Sequence, residues 1–261
     1  MTIKLLSKSM HSDLKLGGFD LKVFSDMPSI PIYLNEIKHL ACDHPLFFHN
    51  NKETLELRLL CSLNSPNGSV WITDEGKWVG NYVPAFLRHQ PFSAHATGVG
   101  EEVGIFIDDA SPRFNDKGSL LFENSEPTNL LNMIISSMKQ IYAVGRTTQQ
   151  ALDCLSTFNL VKPWEAKIKM EDSEEVMFEG LHCIDEEALS ELTADQLREL
   201  NDVSALSLIY GQLFSMGNLC KLVSLQNLKS DHSLGSTMNT LGNQIDFEDG
   251  STEELLNFDN L

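Results

Sequence analysis

The sequence predicts an α+β fold: a mixed, mostly antiparallel sheet, one long central helix and a helical C-terminal part. Segments with strand-like alternation dominate the chain up to about residue 109, and the longest segment of helical periodicity follows them. This order, strands first and helices later, is typical of α+β proteins, whereas wound parallel sheets alternate strand and helix along the chain.

The first regular elements follow residue 28. The 3–4 spacing of Leu34, Ile37 and Leu40 predicts a short helix, and PLFFHNN then has the composition of a strand. LELRLLCSL alternates between apolar and polar residues, and the turn signal SPNG joins it to SVWITD. We therefore expect LELRLLCSL and SVWITD to form a hairpin.

A second group of elements leads into the long helix. Pro84 stands near the first position of a predicted helical turn, which Pro91 ends. FSAHATGV and EVGIFIDD follow as predicted strands. The long helix has Ser125 or Thr128 as its expected N-cap and continues to about residue 158. Its apolar stripe consists of Leu131, Ile134, Ile135, Met138, Ile141 and Tyr142.

Two more strands, in PWEAKIKM and VMFEGLHCID, precede three helical units. Thr193 and Gln196 have the spacing of a capping box, and Asp185 and Ser204 are expected as N-caps. In the last helix one side is formed by Leu206, Ile209, Tyr210, Leu213, Met216 and Leu219.

These elements divide the chain into three parts: an irregular N-terminal segment (1–28), an α+β domain (29–226) and an acidic tail (227–261). From residue 231 onward the tail contains seven acids and neither lysine nor arginine. A polar, acidic composition of this kind predicts a mobile segment.

Composition and charge exclude several function classes. A net charge of −18 argues against nonspecific binding to nucleic acid and to anionic membranes. The N-terminus lacks the pattern of a signal peptide, and no window has the roughly 18 apolar residues of a membrane span. The five scattered cysteines form no CxxC pair and indicate reduced thiols. We therefore expect a cytoplasmic protein.

The best candidate pocket lies in GKWVGNYVPAFLRHQPF. It combines Trp78, Tyr82, Arg88 and His89, with Asp108 as a polar anchor at the end of a strand. Arginine binds carboxylates through two parallel hydrogen bonds, and aromatic rings supply the apolar wall of a binding site. The same arginine could instead stack on tryptophan or pair with Asp108 to hold the helical turn.

Catalytic motifs are scarce. Asp108 and the adjacent Asp109 could serve as acid and base with His89, or could simply end the strand through turn hydrogen bonds. Cys42 and His44 alone do not make up the four ligands of a structural zinc site. No nucleophile elbow, HExxH motif or Walker loop is present. No metal or cofactor is therefore expected.

The motifs occur in an order that resembles the SapC family of bacterial proteins. They are DEGKWVGNYVPAFLRHQPF, IFIDDAS, GSLLFE, GLHCIDEEALSEL and ALSLIYGQLFSMGNLCKL. The resemblance extends from about residue 18 to residue 226, so nothing is implied for the tail. It implies a protein linked by name to a surface-layer (S-layer) gene cluster. It also implies gene neighbours such as flavin-dependent halogenase-like proteins and cupin or JmjC-like oxygenases.

Our leading hypothesis is a non-catalytic binding or accessory protein of a bacterial peptide- or amino-acid-tailoring pathway. Its partner would be a peptide or a peptide-modifying enzyme of the oxygenase or halogenase-like type. The first alternative is a hydrolase-class enzyme that uses Asp108, Asp109 and His89. The second is a folded carrier whose C-terminal tail is the substrate of such a neighbour, and the third is an S-layer assembly or secretion factor.

Overall fold

The structure is a computed structural model that describes residues 3–18, 20–50, 54–63, 68–98, 102–164, 167–168, 176–177 and 180–230. The strands are β1 (Ile3–Leu5), β2 (Lys15–Leu16), β3 (Ser29–Pro31), β4 (Leu46–Asn50), β5 (Leu55–Leu60), β6 (Phe92–Ala96), β7 (Val103–Asp108), β8 (Ser119–Leu120), β9 (Phe122–Glu123), β10 (Glu126–Pro127), β11 (Val161–Pro163), β12 (Lys167–Ile168), β13 (Val176–Met177) and β14 (Leu181–Ile184). The α-helices are α1 (Lys8–His11), α2 (Ile37–Leu40), α3 (Ala85–His89), α4 (Asn129–Thr157), α5 (Glu186–Ser190), α6 (Ala194–Asp202), α7 (Ala205–Ser215) and α8 (Leu219–Ser230).

Antiparallel sheets, the long helix α4 and the helical C-terminal part confirm the predicted α+β class. The main sheet has five strands in the order β11-β14-β4-β5-β3, and every pair in it is antiparallel. A second sheet has three strands in the order β1-β7-β6. Helix α4 packs its first half on the smaller sheet, through Leu131 and Met138, and its second half into the main core, through Leu152 and Leu155.

The predicted hairpin between LELRLLCSL and SVWITD is wrong. Strand β5 pairs with β4 on one side and with β3 on the other, so both of its edges are already occupied. The segment around Trp71 is buried without becoming a strand of the sheet. Its backbone is held instead by the Lys229 ammonium, which donates to the carbonyls of Ser69 and Ile72. Residues 64–67, which include most of the SPNG turn, lie outside the described residues.

The first 28 residues, predicted to be irregular, contain short elements. Strand β1 pairs with β7, more than 90 residues away along the chain, and β2 pairs with β8. A 3-10 helix follows at Leu21–Phe24, and both of its terminal residues enter the main core. Local periodicity does not reveal such pairings, because they depend on a partner that is distant in sequence.

Helix α7 is fixed to the main sheet by two buried polar side chains. Gln212 accepts a hydrogen bond from the Ile184 amide at 3.1 Å and donates one to the Leu46 carbonyl at 3.3 Å. The Ser215 hydroxyl accepts from the Leu46 amide at 3.0 Å. These bonds satisfy sheet groups that would otherwise be buried without partners, so they fix the helix on the ends of β4 and β14.

Most of the predicted helix caps are confirmed. Thr128 accepts from the Leu131 amide, and Asp185 caps α5. Thr193 and Gln196 form the expected capping box at the start of α6. The prediction for Ser204 is wrong: its φ is +60° and its side chain makes no capping hydrogen bond. Helix α8 continues to Ser230, past the predicted start of the tail at residue 227, and residues 231–261 lie outside the described residues.

Among the described residues, no helix has both the length and the apolar composition needed to cross a membrane.

Candidate functional site

Two surfaces flank the one-turn helix α2. The first, the aromatic cluster, consists of Trp78, Tyr82 and Arg88 together with His39 and His44. The second, the helical groove, lies between α2, α4 and α7. The residues that line it are Leu34, Asn35, Ile37, Lys38, Ala41, Cys42, Ala143, Val144, Thr147, Ser204, Ser207, Tyr210, Gly211 and Phe214.

In the aromatic cluster, Tyr82 lies between a histidine and an arginine. The His39 ring stacks on the Tyr82 ring with centroids 4.7 Å apart and an angle of 10° between the planes. The exposed Arg88 guanidinium lies 5.0 Å from the Tyr82 centroid, and its Nη2 donates to the Tyr82 hydroxyl at 2.7 Å. The Arg88 Nε donates to the Val83 carbonyl at 2.9 Å. These contacts orient the guanidinium at the surface.

Beneath this pair lies a buried carboxyl group. Glu36 is 1% exposed, and it accepts hydrogen bonds from the amides of Ala85 at 2.6 Å and Tyr33 at 2.9 Å. The Tyr82 hydroxyl lies close enough to lower the pKa of this carboxyl. Burial raises the pKa of the Glu36 carboxyl, and these hydrogen bonds and the Arg88 charge oppose that rise in part. Glu36 therefore joins the start of α3 and the Tyr82–Arg88 pair to the segment before α2.

Trp78 rests on His44 at the other end of α2. The two rings stack with centroids 5.5 Å apart, while Trp71 meets the same histidine edge-on at 4.4 Å. Burial lowers the pKa of the His44 imidazole to about 4, although the Leu40 and Val79 carbonyls oppose the shift. Neither ring nitrogen of His44 makes a hydrogen bond of good geometry with the described residues. The environment of His44 therefore favours the neutral ring.

His89 faces away from the aromatic cluster. Its Nδ1 lies 2.7 Å from the Ala85 carbonyl, and its Nε2 lies 2.7 Å from the hydroxyl of Ser137 in α4. A carbonyl only accepts, so Nδ1 carries a proton and Nε2 is free to accept from the serine in the neutral ring. Burial lowers the pKa of His89, which favours this neutral form. The side chain thus joins α3 to α4.

Asp108 and Asp109 make contacts at the end of β7. The Asp108 carboxylate accepts from the Ala110 amide at 3.3 Å, as in a turn that follows a strand. Asp109 forms an ion pair with Lys4 at 2.7 Å, and that hydrogen bond holds the pKa of the Asp109 carboxyl below its ordinary value. Within the described residues, no group of three or more His, Cys, Asp or Glu side chains is placed to hold a metal ion.

The helical groove is a concavity with a largely apolar lining. It encloses about 840 Å³, within the range of small-molecule and peptide sites. Phe214 is 77% exposed and Tyr210 is 47% exposed at its edge, with ring centroids 6.1 Å apart. Two large aromatic side chains in solvent next to a concavity are typical of an interaction surface.

A close contact between helices forms the floor of the groove. Gly211 lies against Ile37 so tightly that a β-carbon on Gly211 would collide with the isoleucine side chain. The neighbouring positions on α7 direct Ser207, Tyr210 and Phe214 toward the groove. The absence of a side chain at residue 211 therefore lets α7 approach α2 closely beside the groove.

The groove differs in charge from the rest of this acidic chain. Lys38 is the one charged residue of its lining. Lys139 and Arg146 lie four residues before and three after Ala143, so helical spacing places them on the groove-facing side of α4. None of these three cations belongs to an ion pair that the described residues form with one another. The groove is thus apolar with a cationic border.

The residues of both surfaces fall within one family match. The family model of SapC matches residues 6–222, which include the whole aromatic cluster and the whole helical groove. The chain belongs to the SapC family. No curated protein and no solved structure matches it. Within this SapC protein, the residues from 223 onward lie outside the match.

Sequence reasoning found the aromatic cluster but missed the helical groove. The motif that predicts Trp78, Tyr82 and Arg88 is local, and the structure places all three beside α2. It places His89 toward α4 and engages Asp108 in a turn. The available signal for the groove was Phe214, an aromatic residue four positions after Tyr210 that falls outside the predicted stripe.

Proposed function

We propose that this SapC-family protein is a non-catalytic binding protein that receives an apolar segment of a partner in the helical groove. The observation that carries the proposal is the exposed Tyr210–Phe214 pair at the edge of an apolar concavity. Leaving a phenylalanine 77% exposed forgoes a stabilisation on the order of 2 kcal/mol, which burial against a partner would recover. Exposed aromatic residues of this kind are the usual energetic centres of interfaces.

The contacts of the candidate acid and base residues favour binding over catalysis. His89 is engaged on both ring nitrogens, Asp109 is paired with Lys4, and Asp108 accepts from a turn amide. A catalytic acid or base must be able to reach a substrate proton. Each of these groups would first have to break a contact within the fold.

The family supplies the proposed context. The gene neighbours implied for SapC proteins motivate a role as an accessory protein in a bacterial peptide- or amino-acid-tailoring pathway. The partner would then be an oxygenase or halogenase-like enzyme, or its peptide substrate. In this proposal the exposed Arg88, oriented by Tyr82 and Val83, is a second contact that recognises a carboxylate on the opposite side of α2.

The test is direct binding between purified proteins. The full chain would be titrated by calorimetry with a purified enzyme of the oxygenase or halogenase-like type that the family's gene neighbours imply. We expect Phe214→Ser to weaken binding about 30-fold, the loss of a typical interface hot spot. Met133→Ser is the matched control, because Met133 is 71% exposed on α4 but does not line the groove. Equal affinity of the wild type and of Phe214→Ser would overturn the proposal. Failure of both the oxygenase and the halogenase-like enzyme to bind would also overturn it.

A further inference from the structure

The helical groove and the end of the chain have complementary chemistry. The walls of the groove are apolar and bordered by Lys38, Lys139 and Arg146, in a chain whose net charge is −18. Residues 231–261 contain seven acids and no lysine or arginine. The same segment carries Ile245, Phe247, Leu255, Leu256 and Phe258 among those acids. It therefore combines the apolar side chains and the negative charge that the groove would accept.

The three segments that form the walls of the groove contain few acidic residues for so acidic a chain. The wall segments 139–147 and 204–214 contain no Asp or Glu at all. In 34–42 the single acid is Glu36, which is buried on the other side of α2 and held by the Tyr33 and Ala85 amides. These three segments thus carry three cations and one buried acid, whereas acids outnumber lysines and arginines by 37 to 19 over the chain as a whole.

The C-terminal segment belongs to the same chain as the groove, and this covalent connection strengthens any contact between them. The described structure ends at Ser230, and 31 residues follow it in the sequence. A segment of that length spans up to roughly 100 Å when extended, so it reaches any surface of a domain this size. Tethering also gives the segment an effective concentration on the order of millimolar, so even weak complementarity fills the groove for much of the time.

We propose that the helical groove binds the chain's own C-terminal segment, residues 231–261, when no partner is present. The apolar residues of that segment occupy the concavity beside Tyr210 and Phe214, and its carboxylates pair with Lys38, Lys139 and Arg146. The segment then competes with the partner for one site. This inference rests on the proposed function, because it concerns the regulation of the same groove.

Zero-length cross-linking of amines to carboxylates tests the contact in the full chain. The C-terminal segment has no lysine, so its cross-links must join its acids to amines elsewhere. We expect Lys38 and Lys139 to be joined to acids of residues 231–261. Lys77, which is exposed and does not line the groove, serves as the control. A mixture of ¹⁴N and ¹⁵N protein distinguishes contacts within one chain from contacts between copies. Cross-links between the two isotopes would assign the groove to a second copy and overturn the inference.

Alkylation of cysteine gives an independent readout. Cys42 lines the groove, while Cys220 is exposed outside it and serves as the internal standard. A full-length variant with Ile245, Phe247, Leu255, Leu256 and Phe258 all changed to Ser leaves the folded domain untouched. We expect alkylation of Cys42, relative to Cys220, to be about threefold faster in this variant, as for a groove filled about two-thirds of the time. Equal relative rates together with no cross-link at Lys38 or Lys139 would overturn the inference.

The two proposals fail separately. The serine variant is expected to bind the neighbouring enzyme about threefold more tightly than wild type, because the competitor is lost. Unchanged alkylation of Cys42 and no cross-link at Lys38 or Lys139, together with Phe214-dependent binding of the enzyme, would overturn the inference and leave the proposed function standing. If Cys42 is protected and the cross-links lie within one chain, but no enzyme binds, the proposed function is overturned and the groove still binds the C-terminal segment.

Discussion

Gly211 of α7 lies directly against Ile37 of α2, with no room for a side chain between them. This contact sets how closely the two helices approach, and thereby shapes the helical groove. Gly211→Ala would force the helices apart or push Ile37 out of the core. We expect a loss of about 1–3 kcal/mol in the free energy of unfolding, the usual cost of overpacking. Chemical denaturation followed by fluorescence measures it.

Gly217 provides the matched control for that substitution. It lies six residues later, in the 3-10 helix Met216–Asn218, and a β-carbon there meets nothing within 4 Å. Gly217→Ala should therefore leave stability equal or slightly raised, because alanine restricts the unfolded chain. Equal effects of the two substitutions would show that the Gly211–Ile37 contact is not tight in solution.

Substitution of Glu36 should lower the stability of the fold more than substitution of most other polar residues. Its carboxylate accepts from the amides of Tyr33 and Ala85. Glu36→Gln replaces one accepting oxygen by a donor that faces donors, so we expect a loss of about 2 kcal/mol. Glu126→Gln, at an exposed position in β10, is the control and should change stability little. Thermal unfolding of both variants would show the difference, and a Glu36→Gln protein as stable as wild type would contradict the assigned contacts.

The stability of the protein should depend on pH through His44. Burial lowers the folded-state pKa of this imidazole from 6.5 to about 4. The unfolded chain therefore binds the proton more readily, and stability that is full above pH 6.5 is lost as the pH falls toward 4. The loss from this group amounts to about 3 kcal/mol once the pH is below both values. Unfolding measured by urea titration between pH 7 and pH 4 gives the slope.

His44→Gln removes the titrating group and should flatten that slope. The raised pKa of Glu36 acts with the opposite sign, but it is present in both proteins and cancels in the comparison. His182→Gln makes the same substitution in β14 and serves as the control. If His44→Gln keeps the wild-type slope, another group is responsible for it.

The five cysteines should divide into two classes of reactivity. Cys42 and Cys220 are exposed, whereas Cys61, Cys154 and Cys183 are buried. Burial raises the pKa of Cys61 to about 12 and also raises those of Cys154 and Cys183. The thiolate is the reactive form of cysteine. We therefore expect the three buried cysteines to react with iodoacetamide at least about tenfold more slowly than the two exposed ones under native conditions. Peptide mass spectrometry over time identifies the order, and early modification of Cys61 would contradict its placement.

Much of the local structure could be predicted from the sequence. The 3–4 spacing of α4, its Thr128 cap and the capping box at Thr193 are all local signals, and the structure confirms them. The aromatic cluster was also predictable, because Trp78, Tyr82 and Arg88 lie close together in one motif. The predicted hairpin failed for a different reason: β5 had two better partners, one on each side, and the choice among partners is made by burial of the whole sheet.

By itself the sequence determined the class of fold, the long helix α4 and family membership, because local spacing and short motifs carry all three. Only the tertiary structure decided which apolar residues are core and which are surface. Tyr210 and Leu208 lie two positions apart on one helix, yet the first is 47% exposed and the second fully buried. Hydrophobicity favours burial of both, but the sheet covers one face of α7, and the close approach of α2 at Gly211 leaves the aromatic side chains beside it in solvent.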